Sequence, residues 1–228
     1  MKKEVEIFKI FHAKQEDRLE TRKAKDIVAD EFHFDLFVNS KLVFKFMCSP
    51  RQLKELVVGF LVSEGFIRDS QEILALSFKK DQCFVKLVSK EKYPLKKSEY
   101  RLKLSPPSLW SLMDALQKRS IFFQETGCFH AAALAKGQDI LLFAEDIGRH
   151  NAIDKVIGQA VLKAIPLNDK ILLTACRLSA HLIQKAIYAG IPYVASKSAV
   201  TDKAITLAKE YGLTLVGFVR KGRMNVYA

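Results

Sequence analysis

The sequence predicts an α/β protein: a three-layer core built on a mixed sheet, with a smaller β-rich part before it. Two observations carry this. From about residue 130 onward, short apolar runs of strand type alternate with longer stretches of helical periodicity, the pattern of an α/β layer with an at least partly parallel sheet. Before residue 105, strands and short turns predominate. The lysine-rich stretch 90–103 reads as a surface connection between them, dividing the chain into an N-terminal β-rich subdomain (1–105) and an α/β core domain (106–228).

The elements follow in order. Val5, Ile7, Lys9 and Phe11 nearly alternate, as on a strand. Two apolar runs flank Asn39-Ser40, which reads as a hairpin turn. Ser49 is a good helix N-cap and Pro50 suits the first helical position. Leu53, Leu56, Val57, Phe60 and Leu61 then form one stripe, and Gly65 can end that helix. A second hairpin is expected over 73–90, turning at 79–82. A helix over 107–119 would point Leu109, Leu112, Met113 and Leu116 inward. Strands at 130–135 and 139–144 flank Lys136-Gly137. Helices at 150–163, 179–189 and 200–211 then alternate with strands at 170–175, 191–195 and 213–219. The last of these is almost wholly apolar, as a buried strand should be.

Composition narrows the function. Lys plus Arg number 37 and Asp plus Glu 25, a net charge of +12, which suggests an anionic partner or else a well-solvated basic surface. Apolar runs such as 56–62 are far too short to span a membrane, and no apolar stretch of signal-peptide length follows the first lysines. A cytoplasmic protein is expected, without membrane partners. A nucleic-acid partner is not expected, because no basic patch interleaved with aromatics occurs. Cys48, Cys83, Cys128 and Cys176 lie 35, 45 and 48 residues apart, which fits neither a zinc knuckle nor a thioredoxin-like pair. No metal site is predicted. Cys48 and Cys83 sit in apolar stretches and are expected to be buried.

Four segments could carry chemistry. The run 145–155 places Asp146, Arg149, His150, Asn151, Asp154 and Lys155 at a strand-to-helix junction, where free backbone N–H groups bind anions. A capping turn with salt bridges is the plainer reading. Ser196, Lys197, Ser198 and Thr201 follow the next-to-last strand, and Ser198 or Thr201 would cap the helix after it. Ligands gather beyond the carboxyl ends of strands in such sheets, so Asp146, Arg149, His150 and Asn151 are expected to share a cavity with Ser196 and Ser198. The tail runs from a buried strand into Arg220-Lys221-Gly222-Arg223, where arginine forks suit phosphate. Cys128 lies two residues before His130, and a nearby imidazolium would make its thiol nucleophilic. An inert buried cysteine is the alternative.

Several stretches together resemble the formate dehydrogenase accessory sulfurtransferase (FdhD) family. They are Ser63-Glu64-Gly65-Phe66-Ile67, Thr126-Gly127-Cys128-Phe129-His130-Ala131-Ala132, the run 145–158, Arg177-Leu178-Ser179, Ser198-Ala199-Val200-Thr201 and the tail 217–227. The resemblance covers about residues 30–227. It implies a fold similar to cytidine deaminases without their zinc, and a homodimer. It implies a sulfur carrier that takes sulfur from a cysteine desulfurase, as a cysteine persulfide. The sulfur passes to the molybdenum or tungsten bis-pterin guanine dinucleotide cofactor before that cofactor enters formate dehydrogenase. A guanine nucleotide would mimic the cofactor. The family's cofactor-binding tail maps onto Phe218, Val219, Arg220, Lys221, Gly222 and Arg223. The family's C-G-x-C-G loop, whose first cysteine carries the persulfide, has no counterpart in the cysteine-free region 90–108. Cys128 with His130 is the first candidate to replace it and Cys176 the second. The alternative is a cofactor-binding chaperone without sulfur transfer.

Overall fold

The computed structural model describes residues 2–12, 19–89, 91–100 and 105–228. Part of the expected connection 90–103 therefore lies outside the described residues. The chain begins with a two-stranded antiparallel ribbon, β1 (Lys2–His12) and β2 (Leu19–Ala29). A four-stranded sheet follows, ordered β4-β3-β6-β5, from β3 (Phe32–Val38), β4 (Lys41–Cys48), β5 (Ile73–Lys79) and β6 (Gln82–Leu87). Asn39 and Ser40 both have positive φ, 48° and 68°, as a two-residue turn between right-twisted strands requires. Both predicted hairpins are present. Helix α1 (Leu53–Ser63) lies between β4 and β5.

The second half centres on a six-stranded mixed sheet ordered β12-β11-β10-β9-β7-β8. Its strands are β7 (His130–Lys136), β8 (Asp139–Asp146), β9 (Ile171–Thr174), β10 (Tyr193–Ser196), β11 (Thr214–Arg220) and β12 (Arg223–Val226). β9, β10 and β11 are parallel; β7 is antiparallel to both β8 and β9, so β8 also runs with the parallel set. Helix α2 (Pro106–Arg119) covers one face. Leu109, Leu112, Met113 and Leu116 pack there against Ala131, Ala133, Leu173, Ala195 and Val216. Helices α4 (Arg149–Leu162), α5 (Ala180–Tyr188) and α6 (Asp202–Tyr211) cover the other face. Three layers result, because alternate strand residues such as Ala131 and Ala132 point into different cores.

The core on the α4 side runs without a break from Phe34, Leu36 and Phe46 through α1 to Leu172, Val194 and Leu215. α1 and α4 cross where glycine meets backbone. A Cβ at Gly59 would fall 1.7 Å from the Asp154 carbonyl oxygen, and one at Gly158 would fall 1.9 Å from that of Glu55. Gly158→Ala should therefore push the helices apart and lower stability by about 1–3 kcal/mol or more. A urea midpoint equal to the wild type's would contradict this contact.

One local expectation needs correction. Ser49 does not cap α1: the helix starts at Leu53 after Gln52, which has left-handed φ of 54° and makes no side-chain cap. Ser49 is instead fully buried and bonded to Asp146 and Lys155. Short helix α3 (Ile121–Thr126) and strand β12 were not foreseen. α3 is a six-residue segment, too short for periodicity to show. β12 exists because the tail folds back on β11 instead of ending at it. Of the two expected capping residues, Ser198 and Thr201, it is Thr201 that caps α6, its hydroxyl accepting from the Ala204 N–H.

Candidate functional site

The carboxyl ends of β8, β9, β10 and β11 lie along one edge of the large sheet, with the starts of β7 and β12 beside them. Following the strand order, this rim carries Arg223, Arg220, Lys197, Ala175, His130 and Asp146. The expected strand-end rim is therefore present. Its polar side chains do not share one cavity, however. Arg149, His150 and Asn151 face a depression formed with His33, Asp35, Lys45 and Met47 of the β3–β4 hairpin. On the α2 side lies a cleft of about 840 Å³, lined by Trp110, Asp114, Gln117, Lys197, Val219, Arg220 and Lys221 among others. A smaller cavity of about 300 Å³ adjoins it and reaches Phe129, His130 and Ala175. Gln117 and Lys197 line both, so the two form one groove from the β11–β12 turn to His130.

Asp146 and Ser196 are buried and belong to neither opening. Asp146 accepts from the Ser49 backbone and hydroxyl, the Gly148 N–H and the Asn151 amide, and pairs with Lys155. Asp154 pairs with Lys185 at 3.0 Å and accepts from the Ser63 hydroxyl at 2.6 Å. Glu145 accepts from the Phe122 and Phe123 N–H groups. Most of the polarity of 145–155 thus fastens α1, α3 and the β4–α1 loop to the core. Lys155, expected at an anion-binding junction, cannot serve a ligand there, because its ammonium is wholly buried against Asp146 and Ser49. Lys155→Met would leave the Asp146 charge buried and unpaired. A loss of roughly 3–5 kcal/mol is expected, readable from urea unfolding.

Ser196 donates to the Cys176 carbonyl at 2.6 Å and accepts from the Ser198 N–H. The Ser198 carbonyl in turn accepts from the Phe218 N–H at 3.0 Å. Phe218 has positive φ (52°) in the register shift between Gly217 and Arg220. Gly217 is needed there, since a Cβ would meet Val200 at 2.6 Å. These two serines therefore position the tail. Arg220 and Arg223 stand directly opposite each other across the turn, whose Gly222 has φ of 83°. Val219 is buried, whereas Arg220, Lys221, Gly222 and Arg223 are exposed.

All four cysteines lie among the described residues, and Cys128 alone is exposed. Burial pushes the thiols of Cys48 and Cys83 up to about 12, and raises that of Cys176 as well. Cys128 follows Gly127, which ends α3 in the left-handed conformation (φ 68°), and its N–H donates to Thr126 Oγ1. No hydrogen bond joins Cys128 to His130 among the described residues. Burial, then the nearby Arg149 charge, hold the His130 pKa below its ordinary value, so the ring is neutral at pH 7. The imidazolium expected beside Cys128 is thus replaced by a neutral imidazole.

A second histidine cluster was not foreseen. The rings of His150 and His181 lie 4.8 Å apart, and His181 and Lys185 each approach Glu64 Oε1 at 2.9 Å. Burial opposes ionisation of Glu64, but His181 and Lys185 outweigh it and bring its pKa down to about 2. Burial and the charges of His181 and Lys185 lower His150 to about 4. The unfolded chain therefore binds the extra proton between pH 6.5 and 4, and His150 makes stability fall as pH drops through that window. His150→Gln should flatten the pH dependence of the urea midpoint between 7 and 4. An unchanged slope would show that the ring takes a proton freely in the folded state. The sequence signal was the four-residue spacing of His181 and Lys185 on α5, which faces the end of α1.

The FdhD/NarQ family model matches residues 29–102 and 88–228. The chain is 35% identical over 234 residues to the sulfur carrier protein FdhD of Halalkalibacterium halodurans, covering 89% of this chain and 87% of that one. It is 33% identical over 237 residues to the sulfur carrier protein FdhD of Bacillus subtilis, covering 91% and 90%. Its fold superposes, with a TM-score of 0.82 and 25% identity, on the crystal structure of a protein from Desulfotalea psychrophila assigned as a formate dehydrogenase accessory protein. That match covers 98% of this chain and 96% of the other. With this extent of sequence and structural agreement, the chain belongs to the FdhD/NarQ family.

Proposed function

We propose that this protein is a sulfur carrier for formate dehydrogenase. In this reading it accepts sulfur from a cysteine desulfurase on Cys128 and hands it to a molybdenum or tungsten bis-pterin guanine dinucleotide held as substrate. The observation that carries the reading is the groove from the Arg220–Lys221 turn to His130, with the one exposed thiol two residues from its inner end. The residues suit such a substrate. Lys197, Arg220 and Lys221 supply cationic donors, Trp110 an aromatic wall, and the volume is within the range of small-molecule sites. In the sulfur-loading step the Cys128 thiolate attacks the outer sulfur of the desulfurase persulfide, that S–S bond breaks, and the desulfurase thiolate leaves. The neutral His130 can accept a proton at this end of the groove.

The core is read as cytidine-deaminase-like, the active form as a homodimer, and the setting as the cytoplasm. Among the described residues no cluster of metal-ligating side chains occurs and no helix is long and apolar enough to cross a membrane. The second reading, a cofactor-binding chaperone without covalent chemistry, is favoured by the cysteine-free stretch 90–108 and the missing Cys128–His130 hydrogen bond. Incubation with a cysteine desulfurase and cysteine, followed by intact-mass analysis, separates the two.

A further inference from the structure

Lys197 follows β10 directly and occupies the elbow of the groove, the point where the large cleft meets the cavity at His130. It is half-buried, and its Nζ lies 6.0 Å from the Phe123 ring centroid. No carboxylate pairs with it among the described residues. Asp114, the one carboxylate lining the cleft, is engaged by Lys118 at 2.7 Å on the same helix. The charge at the elbow is therefore uncompensated, with Arg220 and Lys221 farther along the same wall. A partly buried ammonium without a counter-charge raises the local potential and favours a multiply charged anion over a neutral group.

Building on the dinucleotide reading of this groove, we infer that Lys197 grips the diphosphate of the bound guanine dinucleotide. It thereby marks the inner end of the cationic, phosphate-binding wall that Arg220 and Lys221 continue toward the β11–β12 turn, and the cavity beyond it is the reaction arm ending at His130. Lys197 is a binding and positioning residue: it fixes which end of the substrate meets the exposed thiol. The diphosphate is the chemistry recognised, so the effect should follow phosphate and be indifferent to the base.

The test is calorimetric titration of the full chain with GDP, inorganic pyrophosphate and guanosine. Lys197→Met should weaken GDP and pyrophosphate by a similar factor, about tenfold to a hundredfold, and leave guanosine unchanged. Lys197→Arg should stay within a few-fold of wild type for all three, because charge and length are retained. Unchanged GDP affinity in Lys197→Met would overturn the inference while leaving the dinucleotide reading intact. So would a parallel loss of guanosine, which would mark Lys197 as packing only. A wild-type protein that binds neither GDP nor pyrophosphate would overturn both readings together.

Discussion

Cys128→Ser is expected to abolish maturation of formate dehydrogenase while leaving the fold intact. Sulfur transfer needs a thiolate that a second protein can reach, and Cys128 is exposed while Cys48, Cys83 and Cys176 are buried. Among the described residues the side chain makes no hydrogen bond that serine would remove, and its backbone N–H donates to Thr126 Oγ1. Alanine at Cys48 or Cys83 should leave maturation unchanged, because their thiols are pushed up to about 12 and cannot ionise. The check is formate dehydrogenase activity in cells supplied with each variant, with circular dichroism to confirm folding. Normal maturation by Cys128→Ser would contradict the assignment. Cys176 would then require an opening of the rim, being only 3% exposed within the β9–α5 loop.

The second large effect concerns the tail. Arg220→Ala with Arg223→Ala should weaken guanine nucleotide binding by about two orders of magnitude or more. The two residues pair directly across a turn whose Gly222 lets the backbone bend, so their guanidinium groups can converge on one phosphate cluster. Each charge-assisted contact is worth roughly 1.5–3 kcal/mol, and 1.4 kcal/mol is a factor of ten. Folding should survive, because both side chains are exposed and the apolar stretch of β11 ends before them. Arg220 lines the large cleft and Arg223 is not among its lining residues, so the Arg220 single variant should show the larger loss. Calorimetry with GDP decides. A folded double variant of unchanged affinity would reduce the tail to a basic turn.

Much of the fold was legible in the sequence, because helices of 9 to 14 residues and buried strands carry strong periodicity. The alternation after residue 130 announced the mixed sheet, and its rim lies where parallel strands end. The site was legible as a set of segments and less so as contacts. The run 145–155 reads identically whether its charges face a ligand or a neighbouring helix. Asp146 and Asp154 turned inward because Lys155 and Lys185 supply buried partners, and the second of these lies 31 residues from its aspartate. Ser49 was misread for the same reason: a good N-cap residue was taken by a buried ion pair 97 residues away. Local propensity could not reveal that competition. Lys197 stood in a segment noted for its hydroxyls, and its role shows only when two cavities are seen to meet at it.

Sulfur carriage by Cys128 can be read directly by intact-mass spectrometry after incubation with a cysteine desulfurase and cysteine. The wild-type protein should gain one sulfur atom, removed by a reductant and mapped by digestion to the peptide containing Cys128. Cys128→Ser should show no gain under the same conditions. A wild-type mass that stays unchanged, or a sulfur adduct that persists in Cys128→Ser, would contradict it.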